Sequence, residues 1–160
     1  MRMKFLSAVA LALAVAIVVP TFTSARWPVV GGGSYVSQRF HDGHRGIDIA
    51  ARRGTSVVPL WSGTVIFAGY RRNCGGHQVW LSHPNNVFSA YYHLARDTTS
   101  RGNYVRGSID RIGYVGMSGC ATGPHVHVEI WKGYPWRMGS YRVNPWGSVM
   151  SGPHLPSRYR

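Results

Sequence analysis

Acidic side chains are scarce in this chain. Its 160 residues include 5 Asp and Glu against 18 Lys and Arg, a formal charge of +13, which disfavours a basic partner surface and favours an anionic one through long-range attraction. Cysteine is scarcer still: Cys74 and Cys120 are the only two. They form no CxxC pair, which argues against a thiolate zinc site. Outside the first 25 residues no window of helical length shows a 3.6-residue apolar period, so a helical bundle is excluded. Internal repeats and low-complexity linkers are missing as well. The composition is 44% hydrophobic and 12% aromatic, with 20 Gly and 9 Pro. This is too aromatic for a disordered basic tail and has the turn formers of a compact, almost entirely β domain. At 17.7 kDa the chain can build one modest core, not two.

The N-terminus differs in kind from the rest. Arg2 and Lys4 precede an apolar run from Phe5 to Val19, followed by Pro20 and the small residues Thr23-Ser24-Ala25. This order is that of a secretory signal peptide, with cleavage expected after Ala25. The run falls short of the roughly 20 residues a helix needs to cross a bilayer, so no stable membrane span is expected after cleavage. Removal of the leader leaves 16 basic residues against 5 acidic ones, a charge of +11, and 15 of the 16 are Arg. The planar Arg fork suits carboxylates and phosphates better than an ammonium does. Export also changes the reading of the cysteines: two in a small secreted domain usually pair, so a Cys74–Cys120 disulfide is expected, with free thiols or thiol ligands as the alternatives. Closing a loop of about 46 residues would contribute roughly 4 kcal/mol in the chain-entropy model.

Short β-branched and aromatic runs bounded by Gly, Pro and Asn recur from Gly46 onward: 47–49, 64–67, 78–81, 87–92 and 125–131. Each reads as a strand of about four to seven residues, with turns at Gly75-Gly76 and at Pro84-Asn85-Asn86. The segment from Met138 to Arg160, rich in Pro, Gly and Arg, reads as coil.

Chemistry concentrates in three places. In His125-Val126-His127-Val128-Glu129-Ile130, strand alternation sends both histidines and Glu129 to one face and the aliphatic residues to the other. The Gly-rich segment 119–124 feeds directly into this strand and can place the rings at the rim of a site. His44 and Asp48 lie four residues apart, but Gly43, Gly46, Ile47 and Ile49 argue against a helix, so the pair converges where a loop enters a strand. Two His and one carboxylate make the three-ligand set of a hydrolytic zinc site with an open position for water. Spacing alone does not decide whether His125 or His127 is the ligand. His93 ends the aromatic strand in Tyr91-Tyr92-His93-Leu94 and is a candidate to take a proton or stabilise an oxyanion. Glu129 lies further along the strand, placed to accept a hydrogen bond that orients a ring or to balance a nearby Arg. His41 and Asp42 read as turn residues, and His77, His83 and His154 as structural.

Taken in order, His44-Arg45-Gly46-Ile47-Asp48-Ile49-Ala50, Gly54-Thr55 with Val57, Gly63-Thr64-Val65, Tyr92-His93-Leu94 and Gly116 through Ile130 resemble the lysostaphin/LytM-type zinc endopeptidases over roughly residues 38–146. The resemblance implies an all-β single domain of antiparallel sheets with a narrow groove. It implies hydrolysis of peptide bonds in bacterial peptidoglycan, in the stem peptide or the cross-bridge. One Zn2+ per domain would be held by His44, Asp48 and His127, with His93 and His125 as catalytic histidines that do not bind the metal. The expected layout is a signal peptide over 1–25, the metallopeptidase domain over 26–146 and a basic tail over 147–160, in a protein secreted, periplasmic or associated with the cell wall. Peptidoglycan and other anionic wall polymers are the expected partners. Some relatives of this kind are non-catalytic wall-binding or regulatory modules that lack a ligand, and this is the alternative. A specific nucleic-acid partner is not expected, because only the net charge supports it and no nucleic-acid motif is present.

Overall fold

The computed structural model describes residues 26–149, 154 and 156–159. Ten strands form one sheet in which every pairing is antiparallel: β1 (Tyr35–Gln38), β2 (Ile47–Ala50), β3 (Ser56–Val57), β4 (Gly63–Arg71), β5 (Gly76–His83), β6 (Val87–Asp97), β7 (Tyr104–Val105), β8 (Gly113–Val115), β9 (His125–Lys132) and β10 (Tyr141–Val143). The main path runs β1-β2-β9-β6-β5-β4-β7. β10 pairs with β9, and the short β3–β8 ribbon joins β6. A four-residue helix, Trp146–Val149, and a 3₁₀ turn at Ser157–Tyr159 complete the fold. This is the antiparallel all-β class expected from the sequence.

Alternation builds the core. Val126, Val128 and Ile130 of β9 point the same way as Ile47 and Ile49 of β2, and they meet Val79, Leu81, Tyr91 and Leu94 in one buried cluster. Each aliphatic side chain taken out of water there contributes about 1.5–3 kcal/mol. The polar tips of its two fully buried aromatic residues are satisfied: Tyr91 Oη accepts the Leu60 N–H at 2.8 Å, and Trp27 Nε1 donates to Ser34 Oγ at 2.8 Å. The opposite face of β2 and β9 carries the polar set, Asp48 with His125, His127 and Glu129.

The β5–β6 turn falls at Pro84-Asn85-Asn86, where both asparagines adopt φ near +60°, a conformation their short polar side chains tolerate. The strands differ from the sequence reading in length. β4, β5 and β9 have nine, eight and eight residues, and β6 has eleven, not four to seven. The added residues include Arg71, His77, Arg96 and Lys132, which are held in the strands by backbone pairing and carry no apolar signal. β10 lies in the segment read as coil. Three residues among Gly, Pro and Arg have no periodicity of their own, and they become a strand because β9 offers a free edge. Beyond residue 146, Tyr159 returns to the body of the domain. Its ring lies 5.5 Å from that of Trp27, and its hydroxyl accepts the Val36 N–H at 2.9 Å. The expected signal peptide, residues 1–25, lies outside the described residues. Among these, no helix is long and apolar enough to cross a membrane.

Candidate metal centre

Sheet register assembles the site. β2 and β9 pair so that Asp48 stands opposite His127 and Ala50 opposite His125, while on the other side of β9 Tyr92 stands opposite His127. Directly opposed residues share a face, so Asp48, His127 and Tyr92 crowd one spot. His44 reaches the same spot from the turn before β2, closed by reciprocal His41–His44 backbone hydrogen bonds of 2.9 and 3.0 Å.

Three ligand atoms converge there. His44 Nε2 lies 3.0 Å from both Asp48 Oδ1 and His127 Nδ1, and His127 Nδ1 lies 2.7 Å from Asp48 Oδ1. The far ring nitrogens are committed elsewhere. His44 Nδ1 is 3.0 Å from the Arg39 carbonyl, which can only accept, so it carries the proton and leaves a lone pair on Nε2. His127 Nε2 faces Glu129 Oε1 at 3.4 Å in the same sense. Two ring lone pairs and a carboxylate aimed at one point repel one another unless a cation lies between them. One proton can bridge only one of the three contacts, whereas a divalent ion satisfies all three. A tetrahedral ion with bonds of about 2.0–2.1 Å holds its ligand atoms roughly 3.3 Å apart, a few tenths of an ångström more than observed. The donor set therefore fits a metal ion. Burial opposes charge on His127, but hydrogen bonds and charges from Asp48 and Glu129 outweigh it and raise its pKa to about 9, so without a metal its Nδ1 holds a proton that a metal ion would displace. Burial likewise works against the Asp48 carboxylate, yet the three surrounding histidines hold its pKa below the usual value. The pocket attracts positive charge.

His93 and His125 stand beside the triad with ring centroids 4.7 Å apart. Both have their tautomer set by a backbone carbonyl: His93 Nδ1 donates to Ser118 O at 2.8 Å and His125 Nδ1 to Gly123 O at 2.9 Å. Each Nε2 is thereby left as a proton acceptor, and that of His125 lies 3.7 Å from Asp48 Oδ2. Burial lowers the His93 pKa against the Ser118 hydrogen bond, and the neighbouring His125 and His127 add to the lowering. Strict alternation would turn His93 away from the face Tyr92 occupies. A φ of +61° rotates it back to the groove, a strained setting for a non-glycine residue.

Glu129 is a buried hub. Its Oε2 accepts Tyr92 Oη at 2.8 Å and Trp131 Nε1 at 2.7 Å. Its Oε1 meets Arg142 Nε at 2.8 Å as a charge contact and faces His127. Burial raises its pKa, but His127, Arg142 and Tyr92 overcome this and keep the carboxyl ionised. Cys74 and Cys120 form the disulfide, and both border the groove. The cleft of about 500 Å³ takes in all five site residues, the disulfide loops and Trp136. Arg142 and Trp136 escaped the sequence reading, since they lie in loop and edge segments with no motif around them. Of the histidines read as structural, His77 pairs with Asp97 at 3.0 Å and His83 bonds Ser62 O and Ser89 Oγ, and neither lines the cleft.

His44, Asp48 and His127 could hold a metal ion at the floor of a groove in an antiparallel sheet, with His93 and His125 beside them. The family profile "Peptidase family M23" matches residues 42–145, and the chain belongs to this family. It is 37% identical over 112 residues to the DD-carboxypeptidase/endopeptidase Mpg of Neisseria meningitidis, covering 70% of this chain and 24% of that protein. Over 87 residues it is 35% identical to the peptidoglycan DD-endopeptidase ShyC of Vibrio cholerae, covering 54% of this chain and 20% of that one. The chain thus spans about a quarter or less of the length of these relatives. The crystal structure of the catalytic domain of the prophage-encoded M23 protein EnpA of Enterococcus faecalis superposes with a TM-score of 0.59 at 32% identity, covering 79% of this chain and 93% of that domain.

Proposed function

We propose that this chain is an exported, zinc-dependent endopeptidase that hydrolyses peptide bonds in bacterial peptidoglycan. The observation that carries the reading is the convergence of His44 Nε2, Asp48 Oδ1 and His127 Nδ1 within 3.0 Å, with the outer ring nitrogens tied back. Zn2+ held by His44, Asp48 and His127 would supply Lewis acidity toward a peptide carbonyl and would lower the pKa of a water. The rest is done by the chain. His93 and His125, with their Nδ1 protons committed to Ser118 and Gly123, accept a proton at Nε2 from the attacking water. Once protonated, they donate it toward the developing oxyanion or the leaving amine. Glu129 holds the His127 ring and is itself clamped by Tyr92, Trp131 and Arg142.

The names of the relatives support peptidoglycan as substrate, and the charge of +11 that remains after removal of the leader suits an anionic wall. A non-catalytic wall-binding module has no need of a complete ligand set, and here the set is complete. The test uses purified wall sacculi with metal analysis alongside. His44→Ala and His127→Ala should lose metal and hydrolysis together. His93→Ala should keep the metal and lose about 10²–10⁴ of the rate. Hydrolysis of sacculi by the His44 variant would overturn the mechanism.

A further inference from the structure

Trp136 is shared by two clefts. One is the metal groove; the other, of about 510 Å³, is lined by Arg45, Trp131, Arg137, Tyr141 and Arg142 as well as Trp136 itself. The shared wall is firmly built. Trp136 sits at φ +64°, an outlier for so bulky a residue. Its ring lies 5.0 Å from Trp131, and the Arg142 guanidinium covers both rings at 4.3 Å. The strain is held in place by stacking and by the Arg142–Glu129 ion pair beneath it.

The second cleft has an unbalanced charge. No Asp or Glu lines it. Glu129 neutralises Arg142, but among the described residues Arg45 has as its acidic contact only Asp42, whose side chain is 97% exposed, and such pairs hold little. Among the described residues Arg137 has no ion pair; it lies 5.8 Å from the Tyr134 ring. Two guanidinium groups therefore face a depression floored by aromatic rings and joined to the catalytic groove across one indole. Arg forks bind carboxylates through paired, charge-assisted hydrogen bonds.

We propose that this cleft is a substrate subsite for a carboxylate of the peptide. The scissile bond lies over the triad, the chain crosses Trp136, and its acidic group is held by Arg45 and Arg137. Resting on the function proposed above, this names the substrate class: an acid-bearing stem peptide rather than a neutral, glycine-type cross-bridge.

The experiment compares a stem peptide bearing free carboxylates with its carboxamide counterpart, using the metal-loaded chain and Arg45→Gln/Arg137→Gln. Both arginines are on the surface, so the variant should fold. Binding is read from tryptophan fluorescence, and KM and kcat from fragment release. Wild type should bind the acid about tenfold more tightly than the amide. The double variant should bind both as wild type binds the amide, with KM carrying the loss and kcat changed less than about twofold. Equal losses on acid and amide, or no loss on either, would overturn the subsite. If wild type cleaves neither peptide, the proposed function fails, and the tenfold acid preference in binding, present or absent, still decides the subsite.

Discussion

The disulfide can be tested for a role in the site and not only in the fold. Cys74 and Cys120 join the two loops that hold His93 from opposite sides: Gly75 O accepts the His93 N–H at 2.9 Å, and Ser118 O accepts its Nδ1 proton at 2.8 Å. The loops are also bonded to each other through Cys120 N–H and Cys74 O at 2.9 Å, and Ser118 Oγ accepts the His77 N–H at 2.9 Å. Gly119 packs so closely on the Cys74 carbonyl that no side chain would fit. Replacing both cysteines by serine frees a loop of sequence separation 46 in the unfolded chain. The chain-entropy model puts the loss at about 4 kcal/mol, to be read from chemical denaturation. The proposed metal ligands lie on β2, β9 and the turn at His41–His44, none of them in the disulfide loops, so metal content should be unchanged. The left-handed φ of His93 persists only while both loops pin it. The folded variant should therefore lose about tenfold or more in kcat on a soluble peptide, since small displacements of a proton-transfer group cost that much. A variant with full metal, lowered stability and unchanged kcat would refute the argument that the disulfide positions His93.

Further outcomes follow from close contacts and buried charge. A methyl group at Gly46 would lie 2.5 Å from His127 Nε2 and Cε1 and 2.7 Å from the Val128 carbonyl. Gly46→Ala should therefore push the His127 ring aside and weaken metal binding by about 10–100-fold in a chelator competition. Glu129→Gln would put an amide NH2 where an acceptor oxygen now receives hydrogen bonds from Tyr92 and Trp131, and would remove the counter-charge of Arg142. It should cost about 3 kcal/mol of stability, measured by denaturant titration. His83 is buried and its pKa is lowered by that burial, against the Ser62 carbonyl bond. The unfolded chain therefore takes up a proton near pH 6.5 that the folded chain resists, so stability should fall as pH drops below that value. His83→Gln should flatten this part of a melting-temperature profile, and an unchanged slope would count against the assignment.

Much of the site could be read from the chain. Alternation along 125–130 is a local property, so one polar and one aliphatic face follow from residue order, and the core around Val126, Val128 and Ile130 follows with them. Gly43 and Gly46 argued against a helix and kept His44 and Asp48 on a loop entering a strand, where they are found. An expected signal peptide and two cysteines pointed to the 74–120 disulfide, which the structure contains. Strand lengths were underestimated because residues such as Arg71, His77, Arg96 and Lys132 are held in β4, β5, β6 and β9 by backbone pairing and give no apolar signal. β10 was invisible because its three residues become a strand only against the free edge of β9.

By itself the sequence determined which residue types share a strand face, where turns fall and which histidines have carboxylate partners close in the chain. Only the tertiary structure decided that Asp48 faces His127 and not His125, because antiparallel register depends on long-range pairing, and a slip of one residue would exchange the faces. It alone turned His93 into the groove, since the φ of +61° is imposed by two loops joined through a disulfide and has no counterpart in the local pattern Tyr92-His93-Leu94. It alone brought Arg142 and Trp136, from a segment without periodicity, onto Glu129 and Trp131, where a buried carboxylate and stacked rings hold what the local sequence leaves free.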